Sequence, residues 1–167
     1  MMVIGIDPGL TGAAVLVSRG DLILECCDLP SRPRPHSGKV AKWLDAGALA
    51  KILRDWRYSY GLEHNAVCVV IEQPRPMPGM PSTTSASLFD TVGVIRGVVA
   101  ALNIGTILHA DPKTWKSAYN LAAGDKNASI ECAKRLFPYY AELFARAKDH
   151  NRAEAALLAH WGRAEVA

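Results

Sequence analysis

The chain predicts a mixed α/β fold, a five-stranded sheet with helices on both faces, and three observations carry that prediction. Apolar runs at residues 3–6, 13–17 and 21–27 succeed one another with only short turns between them, as in an antiparallel meander. Ala66-Val67-Cys68-Val69-Val70-Ile71 is a continuous, largely β-branched run, the signature of a central strand covered on both sides. From Asp45 onward, helix-spaced and strand-like segments alternate, which favours parallel strands joined by helical crossovers. The predicted order is β-β-β-α-β-α-β-α-α-α, with the last two strands parallel.

Each element has a local reason. The first two strands are separated by Asp7-Pro8-Gly9-Leu10-Thr11-Gly12, where a proline and two glycines enforce a tight reversal. Residues 29–40 hold three prolines and read as a loop. Leu49, Ile52, Leu53 and Trp56 recur on one helical face, with Gly61 as the stop. After the central strand and Glu72, residues 74–84 carry four prolines and two methionines and read as a second loop. Ser85 to Leu102 is predicted helical and Ile104 to His109 a strand. Asp111-Pro112 opens a short helix, Asp125 caps another that reaches Phe137, and Pro138 breaks it. Asp149 opens the last helix, with Ala153, Ala156, Leu157 and His160 on adjoining turns.

At 167 residues the chain suits one domain spanning 1–167. Half of it is hydrophobic and 21% charged, an ordinary globular balance. It contains no apolar run of the roughly 18 residues that span a bilayer and no secretory signal pattern, so the expected setting is the cytoplasm. Four cysteines with no C-x-x-C spacing argue against a zinc or redox motif, and three are expected to be small core residues. The net charge of +3 is uninformative, but residues 111–152 hold eight Lys or Arg against five acids. That bias suits a phosphate-facing surface; a solvated charged face is the competing reading.

Four acids mark the ends or starts of elements. Asp7 ends the first strand and Glu72 the central one, so neighbouring strands would bring both carboxylates to one sheet edge. Asp149 and Glu154 are roughly 500° apart along a helix, and converge only if Asp149 lies at or before its N-terminus. Convergent oxygen ligands without a His or Cys cluster select Mg²⁺ or Mn²⁺. Two such ions about 4 Å apart support phosphodiester hydrolysis without a protein nucleophile. Singly, Asp7 reads equally well as an Asx-turn residue and Asp149 as a helix cap.

Ile4-Gly5-Ile6-Asp7-Pro8-Gly9-Leu10-Thr11-Gly12, Val70-Ile71-Glu72-Gln73-Pro74 and Lys148-Asp149-His150-Asn151-Arg152-Ala153-Glu154-Ala155 resemble the three acidic motifs of the RuvC-type Holliday junction resolvases. The resemblance runs from about residue 3 to 162. It includes Ser85-Ala86-Ser87-Leu88-Phe89 and Pro112-Lys113-Thr114-Trp115-Lys116, and is nearest the chloroplast-type and phage-borne subgroup, whose last acids share the spacing of Asp149 and Glu154. It implies an RNase H-like fold, a homodimer, two Mg²⁺ per site and paired symmetric nicks across a four-way DNA junction. It implies metal ligation by Asp7, Glu72, Asp149 and Glu154, a lysine approaching the scissile phosphate at Lys126, and backbone contacts from Lys113 and Lys116. Arg75, Met77 and Met80 lie in the loop where the bacterial enzymes present an aromatic wedge, which a methionine can replace or merely pack. Asn151 stands where the bacterial motif has its penultimate acid, leaving Asp149 and His150 as candidates for the fourth ligand.

Rival readings are an actin-like or sugar-kinase phosphate loop, an inactive DNA-binding module of the same fold, and a nuclease for flaps, forks or hybrids. The first needs a second domain for which the chain is too short. All four acidic positions being filled weighs against the second. Spacing along one chain does not separate the third.

Overall fold

The computed structural model describes residues 1–33, 42–75, 79–122 and 125–166. β1 (Met2–Asp7), β2 (Ala13–Val17) and β3 (Ile23–Asp28) form the antiparallel meander, with a register shift at Leu16/Val17. A two-stranded ribbon, β4 (Ser31–Pro33) and β5 (Lys42–Leu44), follows. Helix α1 (Ala46–Tyr60) crosses to β6 (Val67–Glu72), which pairs parallel with β1, and α2 (Ser82–Ala101) crosses to β7 (Thr106–Ala110), parallel with β6. The sheet order is therefore β3-β2-β1-β6-β7. Helices α3 (Pro112–Ser117), α4 (Lys126–Leu136) and α5 (His150–Glu165) complete the chain, with 3-10 turns between α4 and α5.

The period-two alternation of the central strands divides two cores. Val3, Val15, Val17, Cys68 and Val70 face α3, α4 and α5, while Ile4, Ile6, Leu16, Val69 and Ile71 face α1 and α2. Both faces are thus covered, which explains why β1, β2 and β6 read as unbroken apolar runs. Helix α1 begins and ends where its caps demand. Asp45 Oδ1 accepts from Ala48 N–H at 3.0 Å, and Gly61 takes the left-handed conformation (φ 59°) that closes the last turn.

Three expectations need correction. Residues 31–33 are a strand rather than loop, because Pro33 sits at a sheet edge where its missing N–H costs no ladder bond. Arg32 over the Trp43 ring, 5.0 Å from its centroid, adds cation–π attraction to that ribbon. Residues 34–40 of the predicted loop lie outside the described residues. Helix α2 starts at Ser82, three residues early, since the Pro81 carbonyl accepts from both Thr84 and Ser85 N–H and so builds the first turn on a Ser/Thr stretch. Of the four cysteines only Cys68 and Cys132 are buried; Cys26 and Cys27 are half-buried at the β3 edge.

One contact fixes how closely the last helix lies on the sheet. A Cβ added at Gly5 would collide with the Ala155 carbonyl oxygen and lie 2.5 Å from the Ala159 nitrogen. One added at Gly162 would strike Val70 Cγ2. Helix α5 therefore rests with its own backbone against β1, through Ala155, Ala159 and Gly162. Gly5→Ala should lower unfolding stability by about 3 kcal/mol, the upper range for overpacking against an unyielding backbone. Gly20→Ala, whose added Cβ meets nothing within 4 Å, should stay within about 0.5 kcal/mol of wild type. Urea midpoints compare them, and equal losses would show that the approach is not tight.

Candidate active site

Asp7 and Glu72 end adjacent parallel strands, and the pairing of Ile6 with Ile71 puts them side by side at one sheet edge. The Asp7 carboxylate accepts from Gly9 N–H at 3.4 Å, so the Asx-turn geometry is present alongside the site geometry. Behind it, Gly12 N–H donates to Gly9 O at 2.8 Å, and a Cβ at Gly12 would collide with the Asp7 carbonyl. This turn requires glycine.

Glu72 is oriented by Trp115, whose Nε1–H donates to Oε1 at 3.0 Å. Trp115 is fully buried in α3, and α3 is started by Asp111, which accepts from Thr114 N–H at 3.2 Å. Glu154, on α5, accepts from Lys116 Nζ at 3.1 and 3.2 Å and from Ser129 Oγ at 3.0 Å. Lys116 Nζ also lies 5.1 Å from the Trp115 ring centroid. The site thus draws on β1, β6, α3, α4 and α5.

Its electrostatics follow from three acids facing one ammonium. Burial, then the charges of Glu72 and Glu154, push the Asp7 carboxyl up to about 8, against the pull of Gly9 N–H and Lys116. Burial also raises Glu72, opposed chiefly by Lys116 and the Trp115 hydrogen bond, with Glu154 and Asp111 adding repulsion. A cluster in which one carboxyl resists ionising is chemically suited to a hard cation, and every donor is oxygen. Among the described residues, however, no three His, Cys, Asp or Glu side chains already converge on a metal-holding point. Lys116 holds Glu154 instead and supplies the positive charge.

The remaining predicted residues are placed as follows. Asp149, expected beside Asp7, is 3% exposed and gripped by Arg146, which donates from Nε, Nη2 and its backbone N–H at 2.8–3.2 Å. That pairing, not proximity to other acids, holds its carboxyl below the usual range. Asp149 does stand at the N-cap position of α5, but its side chain turns back to Arg146 and makes no capping bond to that helix. His150 Nδ1 meets Ala147 O at 3.1 Å. Asn151 Nδ2 donates to Thr11 O and, at 3.2 Å, to Thr11 Oγ1, tying α5 to the β1–β2 turn. Lys126 is exposed at the start of α4, and Lys113 is exposed on α3. Lys116, expected only as a backbone contact, is instead inside the acidic cluster. Arg75 pairs with Asp111 at 2.5 Å, Met80 is half-buried, and Met77 lies outside the described residues. Sequence reading missed Trp115 and Ser129 as partners of the acids. The Trp115-Lys116 pair just inside a capped helix was the available signal for the first.

A groove of about 1310 Å³ adjoins this edge, bounded by Gly9–Thr11, the start of α2 (Thr84, Ser87) and Asp149–Asn151. Arg152 braces its floor, donating to both Asp28 oxygens at 2.6 and 2.8 Å.

The raised Asp7 carboxyl carries a sign. Its folded value lies above the unfolded 3.8, so its contribution to stability is complete below about 4 and lost as pH rises towards 8. In EDTA, wild type should lose thermal stability between about pH 5.5 and 8.5, and Asp7→Asn should flatten that loss; parallel curves would refute the coupling. Asp149→Ala should cost about 2 kcal/mol in urea unfolding, since it strands the hydrogen bonds from Arg146. A change below about 0.5 kcal/mol would show the pair to be idle.

No family model and no curated protein matches the chain. Solved structures do. Thermus thermophilus RuvC in complex with Holliday junction substrate superposes with a TM-score of 0.62 at 14% identity, over 96% of this chain and 94% of that one. A second Thermus thermophilus RuvC structure gives 0.61 at 14% identity, over 99% and 97%. The yeast mitochondrial Holliday junction resolvase gives 0.55 at 18% identity, over 98% and 78%. The fold is accordingly the α/β RNase H-like fold.

Proposed function

We propose that this chain is a metal-dependent endodeoxyribonuclease of the RuvC type that resolves four-way DNA junctions as a cytoplasmic homodimer. The observation that carries the reading is the meeting of Asp7, Glu72 and Glu154 at one sheet edge, mutually raising or opposing one another's charge, inside that fold. The likeness to structures of junction resolvases, one of them holding junction substrate, supports the substrate class. The spacing of Asp149 and Glu154 keeps the chloroplast-type and phage-borne subgroup as the preferred affiliation.

Asp7, Glu72 and Glu154 would hold Mg²⁺, two ions per site with Mn²⁺ as a substitute; Asp149 joins them only if Arg146 releases it. Bound metal supplies Lewis acidity at the scissile phosphate and a water activated for attack. The chain's own groups do the positioning. Trp115 Nε1–H fixes the rotation of Glu72, and Ser129 Oγ fixes that of Glu154. Lys116 neutralises the cluster and stands within reach of a phosphate placed there. Lys126, exposed beside the N-terminus of α4, and Lys113 and Arg75 on the same side supply backbone contacts. The groove beside Gly9–Thr11 offers a hydroxyl-lined track for one strand. The described residues include no helix long and apolar enough to cross a membrane.

The test is cleavage in Mg²⁺ of a four-way junction, a flap and a linear duplex. Wild type should nick the junction symmetrically and spare the duplex. Asp7→Asn should lose on the order of 10³-fold in rate, about 4 kcal/mol of transition-state stabilisation, while retaining junction binding. Equal cutting of flaps would move the substrate to branched DNA in general. Binding without cutting in Mg²⁺ or Mn²⁺ would overturn the enzymatic reading.

A further inference from the structure

Helix α2 has an outward face that the chain's own packing does not use. Thr91, Val92, Ile95 and Val99 are buried against the sheet and α1. Ala86, Phe89, Asp90, Gly93, Arg96, Gly97 and Ala100 are all exposed. At ~100° per residue these seven lie within about 60° of Gly93 around the helix axis. Phe89 is 44% exposed, a large apolar side chain left in water.

The two glycines have no internal explanation. A Cβ added at Gly93 or Gly97 would meet nothing within 4 Å, and neither has a positive φ. Glycine is a poor residue for a helix interior, so a helix that keeps two on one exposed face gives up stability with no return from its own chain. A closely approaching backbone from outside supplies the return. Asp90 and Arg96, on the same face, have no ion-pair partner among the described residues.

We propose that this face is a homodimerisation surface, on which α2 of a second copy packs antiparallel with its two-fold axis at Gly93. The residues are disposed symmetrically about that glycine. Asp90 and Arg96 lie three positions either side, Phe89 and Gly97 four, and Ala86 and Ala100 seven. An antiparallel two-fold therefore sets Asp90 against Arg96 of the second copy, Phe89 into the space over its Gly97, and Ala86 beside its Ala100. Every pairing occurs twice, as an isologous interface requires. A parallel pairing would instead set Asp90 against Asp90 and Phe89 against Phe89, so the charges select the antiparallel arrangement. Helix α2 covers the opposite sheet face from α5, and such a dimer leaves Glu154 and Lys116 uncovered. The inference deepens the proposed junction nuclease by naming its partner surface.

Charge reversal in trans tests it. Wild type should sediment at twice the 18.0 kDa chain mass. Asp90→Arg and Arg96→Asp should each sediment as folded monomers, with unchanged circular dichroism, because each sets like charges together. Mixed in equal amounts they should regain the dimer. One variant then presents a wholly basic face and the other a wholly acidic one, so opposite charges meet on both sides of the axis. Gly93→Leu should be monomeric by blocking the backbone approach. A monomeric wild type, single variants that remain dimeric, or a mixture that stays monomeric would each overturn the surface. Junction cleavage measured alongside separates the two ideas. A wild-type dimer broken by these variants but inert towards DNA would leave the surface standing and remove the nuclease.

Discussion

The site depends on the backbone-to-backbone approach of α5 to β1 at Gly5. Helices normally stand off a sheet by the thickness of two side-chain layers. Here one layer is missing on each side, Gly5 on the strand and Ala155, Ala159 and Gly162 on the helix. The closer seating lets a residue on α5 reach the end of a strand in the same sheet. Glu154, immediately before Ala155, is carried to the edge where β1 and β6 deliver Asp7 and Glu72. A helix held one side-chain layer further out would leave that carboxylate over the body of the sheet.

The helix is then secured at several other points. Arg152 clamps Asp28 at the end of β3, Asn151 bonds to Thr11 in the turn after Asp7, and Arg146 holds Asp149 just before the helix begins. These bonds resist rotation and sliding, which packing of small residues alone does weakly. They also explain why an acid that sequence spacing places among the ligands is spent on architecture. Rigid support of this sort is what a cluster of like charges requires, since its members repel and relax apart if allowed.

Asp7, Glu72 and Glu154 share one nearby ammonium, and the charge imbalance falls on the most buried of them. Lys116 occupies the centre of the arrangement, held by Glu154 and stacked near Trp115. Trp115 therefore touches two members of the site, bonding Glu72 through its indole N–H and lying under Lys116 through its ring. The sheet separates this machinery from α2, whose outward face is built of small residues, one aromatic and two opposite charges. Chemistry and self-recognition are thereby assigned to opposite faces of one sheet.

Much of this was legible in the chain itself. The strand runs, the caps at Asp45, Asp111 and Asp125, the stop at Gly61 and the adjacency of Asp7 and Glu72 all follow from local periodicity and turn chemistry. Those depend on near neighbours, so a linear reading captures them. The ribbon at Ser31–Pro33 and the early start of α2 escaped it, because each rests on a partner strand or a single carbonyl that composition does not announce. The partners of the acids escaped for a stronger reason. Lys116 lies 38 residues from Glu154 and Trp115 43 from Glu72, and no spacing rule operates across a sheet. Sequence alone determined which acids were available and which edge two of them would share. Only the tertiary structure decided that Glu154 joins them and Asp149 turns away, because that choice rests on how closely α5 lies on Gly5 and on where Arg146 reaches.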